Sequence, residues 1–232
     1  MSLTSTVSFL TLFHTITRVF LGDPVLPAHT ARASASPVVL PPITLAEPFT
    51  DFWFGSTDAP GVIAIGLAEG TRTIDGVRTT AWYGHTDPGN SHYNVGTFSH
   101  QHIELSPDLA DDLELQMLRE NLAAFIQERP NLSPLEYLSA ADLSIQAKGA
   151  FPVFGHHLEI LRERNLKPVA TIVEARVRSF YNPMNGQLEA AGFDNNETAL
   201  RRDQLRRTRM IERKVRDIRL NMPEAMTIAH RP

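Results

Sequence analysis

The chain has 232 residues, a hydrophobic fraction of 42%, a charged fraction of 21% and a formal net charge of −4. Those values suit a soluble globular protein, one domain of ordinary size plus appendages, without the general excess of positive charge that points to nucleic acid. The absence of cysteine removes disulfides, a thiol nucleophile and Cys-based zinc sites together, and leaves the compartment open.

Ser2 to Leu26 is rich in Phe, Leu and Val, but His14, Arg18 and Asp23 interrupt it too often for a membrane-spanning helix. It lacks the basic start of a secretory signal, although Ala31-Arg32-Ala33-Ser34-Ala35 has the small-residue character of a cleavage site. The localisation stays open: cytoplasmic synthesis with export to periplasm or cell wall is one reading, and a loosely ordered or interfacial helix in place of a signal is the other. Ala28 to Pro48 is dominated by Ala, Ser and Pro and reads as a linker. This divides the chain into an N-terminal segment and linker (1–48), a folded domain (49–221) and a C-terminal tail (222–232). The aromatic run Phe49 to Phe54 opens the domain as core packing.

Thr57-Asp58-Ala59-Pro60 reads as a helix start, with Asp58 as cap and Pro60 in the first turn. No charged side chain falls between Gly61 and Ala68, so this helix lies inside the domain. Gly70 supplies the left-handed stop. Glu69 then sits at the negative end of the helix dipole among apolar neighbours, and both effects favour the neutral acid, a form able to donate a proton. The alternative is a structural glutamate paired with an arginine such as Arg72.

Arg72 to Thr80 carries Asp75-Gly76 between two short stretches rich in Thr, Val and Ile, a hairpin signal. Thr80-Ala81-Trp82-Tyr83-Gly84-His85 then reads as a strand, followed by the turn Asp87-Pro88-Gly89-Asn90. Taken together, Glu69-Gly70 at a helix end, Asp75 in a hairpin and Thr80-x-x-x-Gly84-His85 resemble the start of the catalytic lobe of phage-type lysozymes. The resemblance covers about thirty residues, with a looser echo downstream in Asp203-Gln204 and Arg206-Arg207. The stretch from Glu69 to Asp75 is a few residues shorter than in that family, which leaves Asp75 the alternative role of a simple turn residue.

The resemblance implies an α+β, lysozyme-like fold: mostly helical, with one small β-hairpin lobe and a cleft between lobes. It also implies a muramidase, a glycoside hydrolase cutting the β-1,4 glycan of peptidoglycan without a cofactor. Glu69 would be the general acid; Asp75 and Thr80, or Asp87 as a rival carboxylate, would position the water. Trp82 or Tyr83 would stack on a sugar, on opposite faces of the strand, with His85 and Asn90 beside them. A non-catalytic cell-wall-binding or phage-tail module of the same fold is the second reading.

A third reading is a metal-dependent hydrolase. His85, Asp87, His92, His100 and His102 fall within eighteen residues, with Glu69 or Glu104 as base. The spacing matches no zinc signature, and no metal is assigned.

Downstream the sequence turns helical. Ser106-Pro107 opens a helix with Leu109, Leu113, Met117, Leu118, Leu122, Phe125 and Ile126 on one broad face, ending before Pro130. Ser133 to Glu136 forms a capping box. Helices follow near Pro152–Arg164, with His156-His157 in or near its start, and Pro168–Phe180. A break at Tyr181 to Gly186 precedes a last helix from about Glu197 to Leu220. Arg201 to Arg219 holds nine Lys/Arg against three Asp/Glu, a local +6 that leaves about −10 for the rest. Its arginines are expected to turn largely outward, as a solvated face or as a weak contact for a membrane or other anionic polymer. No specific nucleic-acid partner and no oligomeric state is indicated.

Overall fold

Proline marks where most of the helices begin. The computed structural model describes residues 48–87, 91–101 and 106–221. Within it Pro60, Pro107, Pro134, Pro152 and Pro168 each occupy the first turn of a helix, where a missing N–H costs no intrahelical bond. The elements run α1 (Pro48–Phe54), α2 (Pro60–Glu69), α3 (Thr80–Tyr83), β1 (His85–Thr86), β2 (Tyr93–Asn94), α4 (Pro107–Glu128), α5 (Pro134–Gln146), α6 (Phe151–Arg162) and α7 (Pro168–Arg178). A 3-10 turn (Ala191–Phe193) and α8 (Glu197–Asn221) complete them. The fold is therefore mostly helical with one two-stranded antiparallel sheet, an α+β arrangement. The expected segment and linker over 1–48 and the tail over 222–232 lie outside the described residues, position 48 apart.

Helix α2 is the central strut. It packs on α1, α5 and α8, while α7 lies against α6 and α8, and α5 touches α4, α6, α7 and α8. Val62, Ala64, Ile65 and Ala68 of α2 are fully buried, as the uncharged run from Gly61 predicts. The expected cap is corrected. Asp58 makes no capping bond to α2, whose start is Ala59; its carboxylate instead accepts from Arg72 Nη1 at 2.7 Å. Gly70 ends the helix in the left-handed region, φ 83°. Trp53 and Phe54 enter the same core. Both serine caps form: Ser106 accepts from Leu109 N, and Ser133 and Glu136 make the reciprocal capping box. Among the described residues no helix is long and apolar enough to cross a membrane.

Between α2 and α4 the chain makes an excursion that departs from the expected hairpin. Residues 72–78 form a loop closed by a single bridge, Arg72 to Arg78, with Gly76 at φ 85°. Thr80–Tyr83 is one helical turn rather than a strand, and the sheet comes later, pairing His85 with Asn94 and Thr86 with Tyr93. The reason is tertiary. Trp82 is buried with Nε1 donating to Asp111 of α4 at 2.9 Å, and the Arg78 guanidinium lies 4.0 Å above its ring. Asp111 also accepts from Thr97 N at 2.5 Å and Thr97 Oγ1 at 2.6 Å, tying the whole excursion to α4.

That anchor sets the rotation of α4 and overturns part of its expected face. Leu118, Leu122 and Phe125 are buried, but Leu109, Leu113 and Met117 are exposed; Asp111, Glu114 and Leu115 take the inward positions. Helix α8 is corrected in the same sense. Leu200, Ile211 and Val215 face the core, with Ile218 packed against it. Arg202, Arg209, Arg213 and Arg216 point outward, yet Arg207 and Lys214 are buried. Lys214 Nζ donates to the Ile74 carbonyl at 2.7 Å and holds the 72–78 loop against α8.

Candidate functional site

Glu69 lies where α2, α5 and α8 converge, and its carboxylate is met by a guanidinium. Arg207 of α8 donates Nη1 to Oε1 at 2.7 Å and Nη2 to Oε2 at 3.0 Å. The pairing arginine is thus Arg207, 138 residues away, and not Arg72. Arg72 is occupied by Asp58, Thr97 and the Gly76 carbonyl. The expected apolar surroundings of Glu69 are corrected here: both of its oxygens meet a guanidinium, in the bidentate geometry that matches a carboxyl group.

Arg207 does not serve Glu69 alone. Nη1 also reaches Asp142 Oδ1 at 3.0 Å, and Nε reaches Asp203 Oδ2 at 3.1 Å. Burial works against its charge, but Glu69, Asp142 and Asp203 outweigh burial and hold Arg207 well above the ordinary arginine range. Arg176 of α7, fully buried, adds bonds to Asp142 Oδ2 (2.6 Å), Gln204 Oε1 (2.5 Å), Gln146 Oε1 (2.9 Å) and the Ser139 carbonyl (2.7 Å). Arg206 Nη1 meets the Ala68 carbonyl at the open end of α2 at 2.7 Å. The cluster therefore joins α2, α5, α7 and α8 through charge-assisted bonds, each stronger than a neutral one.

Two of the fold's carboxylates give this chemistry a pH dependence. Burial alone would raise Asp203, but the charges of Arg207 and Arg206 with the bonds from Arg206 and Gln146 bring it below its ordinary value. Glu136 behaves alike, with Arg162 and Ser133 outweighing burial. Groups lowered in the folded state contribute stability above their unfolded pKa, and that stability is lost as pH falls through the folded value. The melting temperature is expected to hold from pH 7 to about 5 and to fall below about pH 4, readable by circular dichroism across that range.

Glu69 and Arg207 also form one wall of a cleft of about 140 Å³. Ile145, Gln146 and Lys148 extend that wall along α5 and the loop after it, and Glu114 joins the lining from α4; Asn94, Phe98, Ser99, His100 and Gln101, from the excursion between α2 and α4, form the other side. The cleft thus lies between the helical body and the sheet-bearing excursion. The second wall is polar and incompletely bonded. Asn94 Nδ2 and Oδ1, Ser99 Oγ and Gln101 Nε2 have no hydrogen-bond partner among the described residues. Each such group costs about 1–3 kcal/mol when buried unpaired, so this wall is suited to bonding something that enters. Glu114 Oε1 meets His100 Nδ1 at 2.5 Å.

Of the residues expected for glycan cleavage, only Glu69 among those described lines this cleft; of the expected metal cluster, His100 does. Asp75 is exposed in its turn and Thr80 is exposed at the start of α3. Asp87 is fully buried beside the sheet, its carbonyl accepting from Ser91 N at 2.8 Å. Trp82 faces Asp111, Tyr83 is 65% exposed, and His85 Nδ1 is bonded to the Ala81 carbonyl at 2.9 Å. Asn90 lies outside the described residues, as do His102 and Glu104 of the proposed metal cluster. Among the described residues no group of three or more His, Asp and Glu side chains is placed to hold a metal ion. His156-His157 falls within α6, away from the cleft lining.

Sequence reasoning missed Glu114, Arg207 and the Asn94–Gln101 wall. For Glu114 a signal existed: it stands three residues after Asp111 and four before Leu118, so two acids share a helical stripe with Leu115, Leu118, Leu122 and Phe125. For Arg207 the only signal was the echo of a late lysozyme helix in Asp203 to Arg207. In comparisons with protein-family models, with curated proteins and with solved structures, nothing matches this chain.

Proposed function

We propose that this chain is a glycoside hydrolase of the muramidase type, lysozyme-like in fold, cutting the β-1,4 glycan of peptidoglycan with Glu69 as general acid. The observation that carries the reading is the placement of Glu69: the last residue of a buried helix, it lines a cleft whose lining also holds buried amide and hydroxyl groups with no hydrogen-bond partner among the described residues. The resemblance of Glu69-Gly70 and its following segment to phage-type lysozymes agrees with that placement. The water-positioning roles that the resemblance gives to Asp75 and Thr80 are not carried into the proposal, since neither lines the cleft. The exposed Arg202, Arg209 and Arg213 share one face of α8 and are assigned a weak, salt-sensitive contact with anionic polymer of the wall.

One observation favours a second reading, a wall-binding module without catalysis: both Glu69 oxygens are already engaged by Arg207. The two separate in a single experiment. Full-length protein is mixed with purified bacterial sacculi, and turbidity, new reducing ends and pelleted protein are followed together. Falling turbidity with new reducing ends supports the hydrolase. Pelleting with neither supports the module and overturns the hydrolase. Loss of activity on adding a chelator would return the metal-dependent reading.

A further inference from the structure

We infer that Glu114 is the second carboxylate of the reaction, sharing the cleft with Glu69, and that Asn94 and Ser99 of the same lining are the seat of an uncharged acetamido or hydroxyl group of the sugar. The inference rests on the glycosidase reading above and names its missing base and its substrate class.

Hydrolysis of a glycosidic bond needs one group to protonate the leaving oxygen and another to activate water or stabilise the developing oxocarbenium ion. Asp75 and Asp87 stand outside the cleft, whereas Glu69 and Glu114 both line it, one from α2 and the other from α4. Glu114 is only 7% exposed. A charged side chain turned inward from a 22-residue helix is costly unless it is bonded. Its partner in the cleft is His100, not an arginine. The two carboxyls are therefore differentiated by their neighbours. Glu69 is held by the Arg207 guanidinium, and Glu114 meets the His100 imidazole.

The unbonded groups point to the ligand independently. Among the described residues, fully buried Asn94 has no partner for either amide atom, and Ser99, 6% exposed, has none for its hydroxyl. An amide and a hydroxyl offer neutral donors and acceptors, which suit acetamido and hydroxyl groups. A phosphate or carboxylate would call for free cations. Of the two cations in the lining, Arg207 is already shared by three carboxylates and Lys148 stands exposed at the rim.

In the step this implies, a water oxygen bonds to the anomeric carbon as the bond from that carbon to the glycosidic oxygen breaks. Glu114 takes one proton from the water, and Glu69 gives one to the departing oxygen. Both chain ends leave as hydroxyls, and the carboxyls regain their starting states by exchange with solvent.

The test uses full-length protein and a soluble β-1,4-linked N-acetylated oligosaccharide. Glu114→Gln is expected to lower kcat by about 10²-fold or more with KM within a few-fold. Glu114→Ala is expected to regain part of its rate on adding sodium azide and to yield a glycosyl azide, which a merely structural glutamate would not produce. Glu114→Asp keeps the charge beside His100 but withdraws it by one methylene. It is expected to lose at least tenfold in kcat while melting close to the native chain, and it carries the test should the other variants not fold. Native cleavage that is lost in Glu69→Gln but kept in Glu114→Asp and Glu114→Gln overturns the inference alone. No cleavage by the native chain overturns the glycosidase reading and the inference together.

Discussion

Glu69→Gln is expected to reduce glycan cleavage by about 10²- to 10⁴-fold, the contribution of a general acid, in a protein that remains folded. The amide keeps the shape of the carboxyl but cannot give a proton, and it meets Arg207 differently. Its oxygen still accepts one guanidinium N–H, while its NH₂ faces a second donor where Oε2 or Oε1 stood. Arg207 retains Asp142 and Asp203, so the buried cation is not stranded. The loss is that of a charged hydrogen bond, about 1.5–3 kcal/mol, or a fall in melting temperature of roughly 3–12 °C for a domain of this size. Stability and activity thus move by different amounts. Calorimetry beside reducing-end assays on sacculi reads both. A variant that melts lower but cleaves at the native rate would remove Glu69 from the chemistry and leave it the structural partner of Arg207.

How far the sequence could be read depended on distance along the chain. The limits of α2 were legible because Pro60 and Gly70 act locally, and so was the capping box at Ser133. The turn at Asp75-Gly76 was legible for the same reason. The excursion from Thr80 was not. Trp82 and Tyr83 favour strands, but β-propensity yields to packing, and the bond from Trp82 to Asp111 twenty-nine residues away closes a helical turn instead. The face of α4 was misphased because its apolar residues form two stripes, Leu109-Leu113-Met117 and Leu118-Leu122-Phe125. Periodicity alone does not choose between them; the acids Asp111 and Glu114, easily dismissed as solvent-facing, mark the stripe that is buried. For the site, the acid was visible as a residue out of place at a helix end. Its guanidinium was hidden in an arginine-rich helix of which Arg202, Arg209, Arg213 and Arg216 face outward, and only the docking of α8 on α2 singles out Arg207 as the partner of Glu69.

That docking can be tested where it is most exposed to loss. Arg176→Met is expected to destabilise the fold by about 3–5 kcal/mol, because removing one partner of a buried ion pair leaves the other charge uncompensated. Arg176 is fully buried, and its loss takes a donor from Asp142, Gln204, Gln146 and the Ser139 carbonyl at once. Asp142 would then share Arg207 with Glu69 and Asp203, three carboxylates on one guanidinium. The double variant Arg176→Met/Asp142→Leu removes the stranded anion together with its cation and leaves Arg207 with two. Apolar replacement of a whole buried pair is often neutral or better, so the double variant is expected to regain most of the loss in urea unfolding. Cleavage should not recover with it. Asp142 shares the Nη1 of Arg207 with Glu69, so deleting it frees the guanidinium to shift against the acid, and a shift of about 1 Å near a reacting group costs up to 10²-fold. A double variant both stable and fully active would show that the cluster holds the helices together and does nothing to aim Glu69.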